Sequence, residues 1–388
     1  MDSANLLRAA QSGYDRYLDD LRALVNLDCG SFTPAGVNRV ADICADRLSG
    51  LGFSVRRIPH VQAPGEAELG DCLVATLSGT GRARILLIGH MDTVFAPGTA
   101  AARPFRVEGD RAFGPGVCDM KGGLLAGFHA IEVLRESGWD DFAEIAFVCN
   151  PDEEIGSAFS GPIIREAAEG RDVSLVLECA RESGAIVSAR KGVAGGPIEV
   201  VGRSAHAGVE PERGRSAILA AARLVEALHE LNGRWPGVTV NVGTIEGGTR
   251  PNVVPDRVRM EIDVRGPDAA AFDAATAEID ALVGAVTLDC SAAIRWFGEH
   301  RPMERTEAAA RLVALAQEAA VEVGIGDLLE AATGGASDAN TTAGMGIPTL
   351  DGLGPVGGQP HSDDEWLDLD SVVPRIALLA RLIERVAG

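Results

Sequence analysis

Short, almost wholly apolar runs constrain this chain more than any other feature of it. Ile85–Gly89, Ile145–Cys149 and Val173–Leu177 are each of strand length. Successive side chains of a strand point to opposite faces, so a strand that is apolar throughout is buried on both. Helical stretches lie between the runs, Gly122–Glu136 ending before Gly138, and 161–169. Upstream, 5–27 carries Leu18, Leu21, Leu24 and Val25 at helical spacing. A further helix over 36–50 stops at Gly50 and Gly52, and Ser54–Ile58 and Leu73–Leu77 read as strands. Helices alternating with doubly buried strands predict an α/β fold, a mainly parallel sheet with helices on both faces.

Near residue 190 the pattern changes. Gly192–Val201 and Thr239–Ile245 are β-branched runs flanking an Ala-rich helix at 214–231. Val258–Val264 alternates apolar with charged residues, as a strand with one buried face does. A helix over Asp268–Val283 and a strand over Val286–Arg295 complete a β-α-β-β-α-β order, the split βαβ or ferredoxin-like arrangement. From 301 the α/β pattern resumes, and Val373–Val386 closes the chain as an amphipathic helix. At 388 residues the chain exceeds the roughly 250–300 at which single cores stop growing. The expected organisation is one α/β domain, 1–191 plus 301–388, interrupted by an α+β domain at 192–300.

Charge narrows the partners. The 35 Lys and Arg against 56 Asp and Glu leave a net −21, which repels phosphate backbones and anionic membranes. Nucleic acid and membrane partners are therefore not expected. The seven cysteines are odd in number and form no CxxC pair, so a reduced compartment fits better than a disulfide framework. No basic region followed by an apolar core opens the chain, so a cytoplasmic location is the expectation.

The chemistry gathers at strand ends and glycine-rich turns. His90 ends the RILLIG strand in Gly-His-Met-Asp-Thr, where residues i and i+2 share a face, so Asp92 can touch it. A metal-binding imidazole commonly donates its other nitrogen to a carboxylate, though a strand-end histidine held by an aspartate shows the same pattern. Asp119 lies in Gly114-Pro-Gly-Val-Cys-Asp-Met-Lys-Gly-Gly123, either an N-cap or a carboxylate brought to a ligand by a turn denser in glycine than a cap needs. Asp152, Glu153 and Glu154 follow the strand Ile145–Cys149; their mutual repulsion is offset by solvent or by a cation. Glu178 follows Val173–Leu177, and His361 sits in a further Gly/Pro-rich loop. Together His90, Asp119, Glu154, Glu178 and His361 offer nitrogen and oxygen ligands without cysteine, a set suited to zinc, cobalt or manganese in hydrolysis. Two such ions can share one carboxylate and activate a water, leaving Glu153 as general base. His60, His129, His229 and His300 lie in no such context and read as structural.

In GHMDTV, GPGVCDMKGG, PDEEIGS, LECA, GRSAHAG, RPNVVP and TGGASDAN through LGPVGGQPHSDDEW the chain resembles the di-zinc amidohydrolases that include bacterial glutamate carboxypeptidase, aminoacylase, acetylornithine deacetylase and succinyl-diaminopimelate desuccinylase. The likeness is greatest to the glutamate carboxypeptidase type. It implies a zinc-exopeptidase-like fold whose insert is a dimerisation or lid domain. It also implies two Zn2+, one on His90, Asp119 and Glu178 and one on Asp119, Glu154 and His361. Glu153 would be the base, Asp92 would orient His90, and a cis peptide would follow Asp119. His206, in GRSAHAG, would stabilise the oxyanion in the partner subunit of a homodimer. Asn252, Arg265 and Arg301, with the loop at Gly334, Gly335 and Ser337, would hold the carboxylate of a small-molecule substrate. The residues after Glu178, CARESGAIVSARK, depart from the glutamate carboxypeptidase pattern. Amide hydrolysis next to a free carboxylate is thus the expectation, by a carboxypeptidase or by an N-acyl-amino-acid deacylase. A non-catalytic binding protein on the same fold is the third reading.

Overall fold

The computed structural model describes residues 2–388, with the backbone alone at 298 and 299. The chain folds as two compact units: Met1–Ala189, Arg305–Ala332 and Ser337–Gly388 form one, and Arg190–Glu304 with Thr333–Ala336 the other. Among the described residues no helix is long and apolar enough to cross a membrane.

The first unit is built on a six-stranded sheet, in order Ser54–Ile58, Cys72–Ser78, Glu144–Asn150, Arg84–His90, Val173–Val176 and Thr349–Leu350. The last four strands run parallel, and the doubly apolar runs occupy its centre, Ile85 opposite Ile145 and Val173, Leu87 opposite Phe147 and Leu175. Two antiparallel pairings add the outer strands. Because two reversals cancel, Ile58 ends level with Asn150, which itself pairs with His90. Three strand ends therefore meet along one edge.

The predicted helix over 5–27 is two helices, Ser3–Ser12 and Tyr14–Val25, parted at Gly13. A Cβ at Gly13 would lie 3.0 Å from the ring of His129, which Tyr17 meets edge-on from the other side of the break. The helix Gly122–Glu136 is buried along almost its whole length, which requires glycine at its start: a Cβ at Gly123 would lie 1.8 Å from the Leu177 carbonyl oxygen. Backbone of helix and strand end touch there directly.

In the second unit the strands run Thr239–Gly247, Arg257–Gly266, Gly192–Val201 and Ser291–Ile294 across an antiparallel sheet, and a fifth, Phe297–His300, also pairs with Gly192–Val201. Val258, Met260, Ile262 and Val264 are buried beneath the helices Ala217–His229 and Ala269–Gly284, and the intervening residues face outward. Ser216 and Asp268 cap those helices, accepting the amides of Leu219 and Ala271. In place of one strand over Val286–Arg295 there are two, Ser291–Ile294 and Phe297–His300, and the first starts late because Leu288 and Asp289 take left-handed φ of 68° and 50° in a turn.

The Gly123 contact makes a stability prediction. Gly123→Ala should cost at least about 2 kcal/mol despite alanine's better helix propensity, because the clash is with backbone. Gly50→Ala, where a Cβ meets nothing within 4 Å, should be neutral or stabilising by up to about 1 kcal/mol. Denaturation midpoints at unchanged m-value measure both.

Candidate metal centre

His90 closes the strand Arg84–His90 and is 1 % exposed. Its Nε2 lies 3.1 Å from Asp119 Oδ1 and 3.5 Å from Glu178 Oε1. His361 Nε2 lies 3.1 Å from Asp119 Oδ2 and 3.0 Å from Glu154 Oε2. One carboxylate thus presents each of its oxygens to a different imidazole. Donor atoms of His90, Asp119 and Glu154 lie within 4.8 Å of one another, as do those of His90, Glu153 and Glu178. Asp119 caps no helix, and the acidic run after Asn150 turns inward, with the Glu154 side chain 5 % exposed.

Neighbouring groups hold this arrangement from behind. Asp92 is fully buried; its oxygens accept the amides of Glu153 and Glu154 at 3.3 Å and the Ser31 hydroxyl at 2.7 Å. It also meets His90 Nδ1 twice, through its carboxylate at 3.4 Å and its backbone carbonyl at 3.1 Å. The turn carrying Asp119 is held by Glu365, whose carboxylate accepts the amides of Gly116, Cys118 and Asp119 at 2.9, 2.9 and 3.1 Å. Lys121 is buried and donates to the carbonyls of Pro115 and Leu27. The Asp119–Met120 peptide is cis.

Glu365 was not singled out from the sequence. Its signal was the acidic run directly after His361. Four short strands bring it under the Asp119 turn: Arg106–Glu108, Arg111–Phe113, Gly357–Gly358 and Trp366–Asp368. Asp338 was missed as well; it is buried, accepts the Ser157 hydroxyl at 2.6 Å, and is pushed up to about 7 by burial.

Four carboxylates face two imidazoles, and the titration of the group records the strain of that ratio. Burial pushes Glu153 and Glu178 well above the usual carboxylate range; His90 opposes the rise and the neighbouring acids add to it. Glu154 is raised for the same reason, with the hydrogen bond from His361 opposing. Burial would lower His90, but Glu178, Asp119, Asp92 and Glu153 outweigh it and hold it well above the ordinary value. Burial would raise Asp119, yet the hydrogen bonds of His361 and His90 hold it below the usual range. Hydrogen bonds to Asp119 and Glu154 raise His361 to about 10. A buried excess of negative charge, nitrogen and oxygen donors within reach of one another, and no thiol among them fit divalent cations.

The remaining predicted residues occupy other surroundings. His206 is exposed, and its Nδ1 accepts the Gly208 amide at 3.1 Å. Asn252 lies beside it, its carbonyl accepting the Ala207 amide at 3.0 Å. The Arg265 fork is paired with Asp263 at 3.0 and 3.2 Å and donates to the Gly334 carbonyl at 2.8 Å. Arg301 grips Asp273 at 2.6 and 2.9 Å, and the Gly335 carbonyl accepts from Arg190. Ser337 is buried at the start of the helix Asp338–Gly344: its amide meets Asn340 Oδ1, its carbonyl the Asn340 amide, and its hydroxyl Asp351.

Residues 86–385 match Peptidase family M20/M25/M40. The chain belongs to this family. It is 31 % identical to carboxypeptidase G2 of Pseudomonas sp. (strain RS-16) over 97 % of this chain and 91 % of that protein. It is 32 % identical to acetylornithine deacetylase of Myxococcus xanthus over 63 % of this chain and 65 % of that one. Among solved structures, an aminopeptidase (PepT) of Bacillus cereus superposes with a TM-score of 0.77 at 26 % identity, covering 97 % of this chain and 99 % of its own. The family comprises metal-dependent peptidases and amidohydrolases, and its fold is the mainly parallel α/β sheet with a smaller antiparallel domain described above.

A raised histidine stabilises the fold fully below its unfolded pKa and loses that contribution as pH climbs through the folded one. With the unfolded value near 6.5 and His361 held to about 10, chelator-treated protein should lose thermal stability steadily across that window. The raised Glu153 and Glu178 act in the same direction. Added Zn2+ should raise the melting temperature and flatten the slope. Melting curves across pH, with and without chelator, measure this, and a pH-independent chelated protein would contradict the packing of these groups.

Proposed function

We propose that this chain hydrolyses an amide bond next to a free carboxylate, as a metallopeptidase of the glutamate carboxypeptidase type. The observation that carries the reading is the Asp119 carboxylate, one oxygen facing His90 and the other His361, with Glu178 and Glu154 beyond. Two zinc ions, with cobalt or manganese as substitutes, would be held by His90, Asp119 and Glu178 and by Asp119, Glu154 and His361. When bound, such ions polarise the scissile carbonyl and make water acidic enough to react near neutral pH.

The protein's own groups do the rest. Glu153 is outside both ligand sets, and burial gives its carboxylate a high proton affinity. It takes the proton of the attacking water and returns it to the leaving nitrogen. Asp92 keeps His90 and the Glu153–Glu154 backbone in register with each other. His206 accepts at Nδ1, which leaves Nε2–H as a donor for the oxyanion. Asn252, Arg265 and Arg301 would read the substrate carboxylate, the two guanidinium forks giving up Asp263 and Asp273 to do so.

His206 would act on the partner subunit of a homodimer. The strand Thr239–Gly247 is at the sheet edge, and Ile245 on it is half-exposed, features that a second copy would cover. The similarity to acetylornithine deacetylase favours a second reading, an N-acyl-amino-acid deacylase with the same machinery. A panel of dipeptides, folate-like conjugates and N-acyl amino acids separates the two.

Glu153→Gln should lower kcat by about 100- to 10,000-fold with metal content unchanged; full activity would refute the mechanism and favour a binding protein. His206→Ala should also be nearly inactive, and mixing it with Glu153→Gln should recover about a quarter of wild-type activity, since half the dimers then carry one intact composite site. No recovery on mixing would argue against a shared site.

A further inference from the structure

We propose that Cys118 and Cys179 form an oxidisable pair beside the metal centre: hydrogen peroxide joins them in a disulfide, and the bond draws a flanking metal ligand out of place. The loss of metal rests on the hydrolase reading above; the bond itself does not.

Chain order sets the pair against the site. Cys118 directly precedes Asp119 and Cys179 directly follows Glu178, the two carboxylates assigned with His90 to one ion. Residues 354–358 lie against both turns. The Gly354 amide donates to the Glu178 carbonyl at 2.8 Å, and the Gly357 amide to the Ala180 carbonyl at 3.3 Å. A Cβ at Gly357 would fall 2.4 Å from Cys118 Cβ, and the Cys118 thiol donates to the Gly358 carbonyl at 3.8 Å. Beside these contacts the Cys118 and Cys179 thiols meet in a hydrogen bond of their own.

Exposure singles this pair out. All seven cysteines are free; Cys179 and Cys290 are partly exposed and the other five are buried. Cys290 belongs to the second unit. Cys44 and Cys149 also meet thiol to thiol, but both are 0 % exposed. A dissolved oxidant therefore reaches Cys179 and finds Cys118 behind it. In a reducing compartment disulfides are characteristically transient and redox-sensing.

The chemistry takes two steps. The Cys179 sulfur attacks one peroxide oxygen, the O–O bond breaks, and the products are a sulfenic acid on Cys179 and one water. The Cys118 sulfur then attacks Cys179 Sγ, and its proton leaves with the sulfenic hydroxyl as a second water. The two thiols give up two electrons in all, and one peroxide takes them. A disulfide fixes its sulfurs about 2.05 Å apart, well inside the contact distance of two thiols, so the turns are pulled together. The Cys118–Asp119 turn is fastened to Glu365 through three amides, so the movement falls on Cys179 and with it on Glu178. Metal–ligand distances tolerate only about 0.2 Å.

The test treats metal-loaded wild type and Cys179→Ser with hydrogen peroxide. It reads the Cys118–Cys179 bond by peptide mass mapping, zinc release with a chromogenic chelator, and turnover of the substrate panel above. Wild type should form the bond, release zinc and lose about 10- to 100-fold in turnover, all reversed by dithiothreitol with added Zn2+. Cys179→Ser should keep its metal and its turnover, and Cys179 is partly exposed, so the variant should fold. In Cys118→Ala, which keeps the Cβ packed on Gly357, oxidation should stop at the sulfenic acid, and dimedone should label Cys179. No bond in wild type, no dimedone label, or equal losses in Cys179→Ser would overturn the proposal. So would a bond formed with zinc and turnover retained. A bond with zinc release in a protein that hydrolyses none of the panel would overturn the hydrolase reading and sustain the thiol pair; neither bond nor hydrolysis would overturn both.

Discussion

The Asp119 carboxylate, with an imidazole against each oxygen, is largely enclosed among three glutamates, and much of the first unit is arranged to keep it there. Burying several charges together costs several kcal/mol per ion unless each finds a partner. Asp119 finds two in His90 and His361, and its turn is fastened by Glu365 through three backbone amides. Glycine at 123 lets the following helix touch the end of the central sheet, close beside Glu178.

Sheet register converts that local requirement into a site. Open α/β sheets bind ligands beyond the carboxyl ends of their strands. Here Arg84–His90 and Glu144–Asn150 end level, so His90 and the Glu153–Glu154 turn emerge side by side. Asp92 then ties the two turns together with four short contacts. The same edge carries the 59–69 loop, because two antiparallel pairings restore the direction of the first strand.

Most of the elements were legible in the sequence because their burial follows short periods. The doubly apolar runs lie in the sheet where predicted, and the alternation over Val258–Val264 gives a strand with one buried face. The misplacements have local causes. Gly13 interrupts a helical pattern that continues across it, since His129 occupies the space a side chain would need. The strand expected from Val286 starts only at Ser291 because Leu288 and Asp289 turn left-handed, which apolar content does not report. The residues drawn together around Asp119 were found by type and place, each at a strand end or in a glycine-rich turn. Glu365 was not, since its role depends on strands of two or three residues, too short for any period to register.

By itself the sequence determined the layered α/β architecture, the split βαβ order of the insert and the chemical type of the cluster. These rest on residue kind and spacing along the chain, and hydrophobic periodicity and motif order preserve both. Only the tertiary structure decided that Asp119 faces two histidines rather than capping a helix, and that the acids after Asn150 turn inward rather than into solvent. It also decided that Glu365 holds the turn. Each of these depends on groups far apart in sequence, and no property of one segment specifies which distant segment will pack against it.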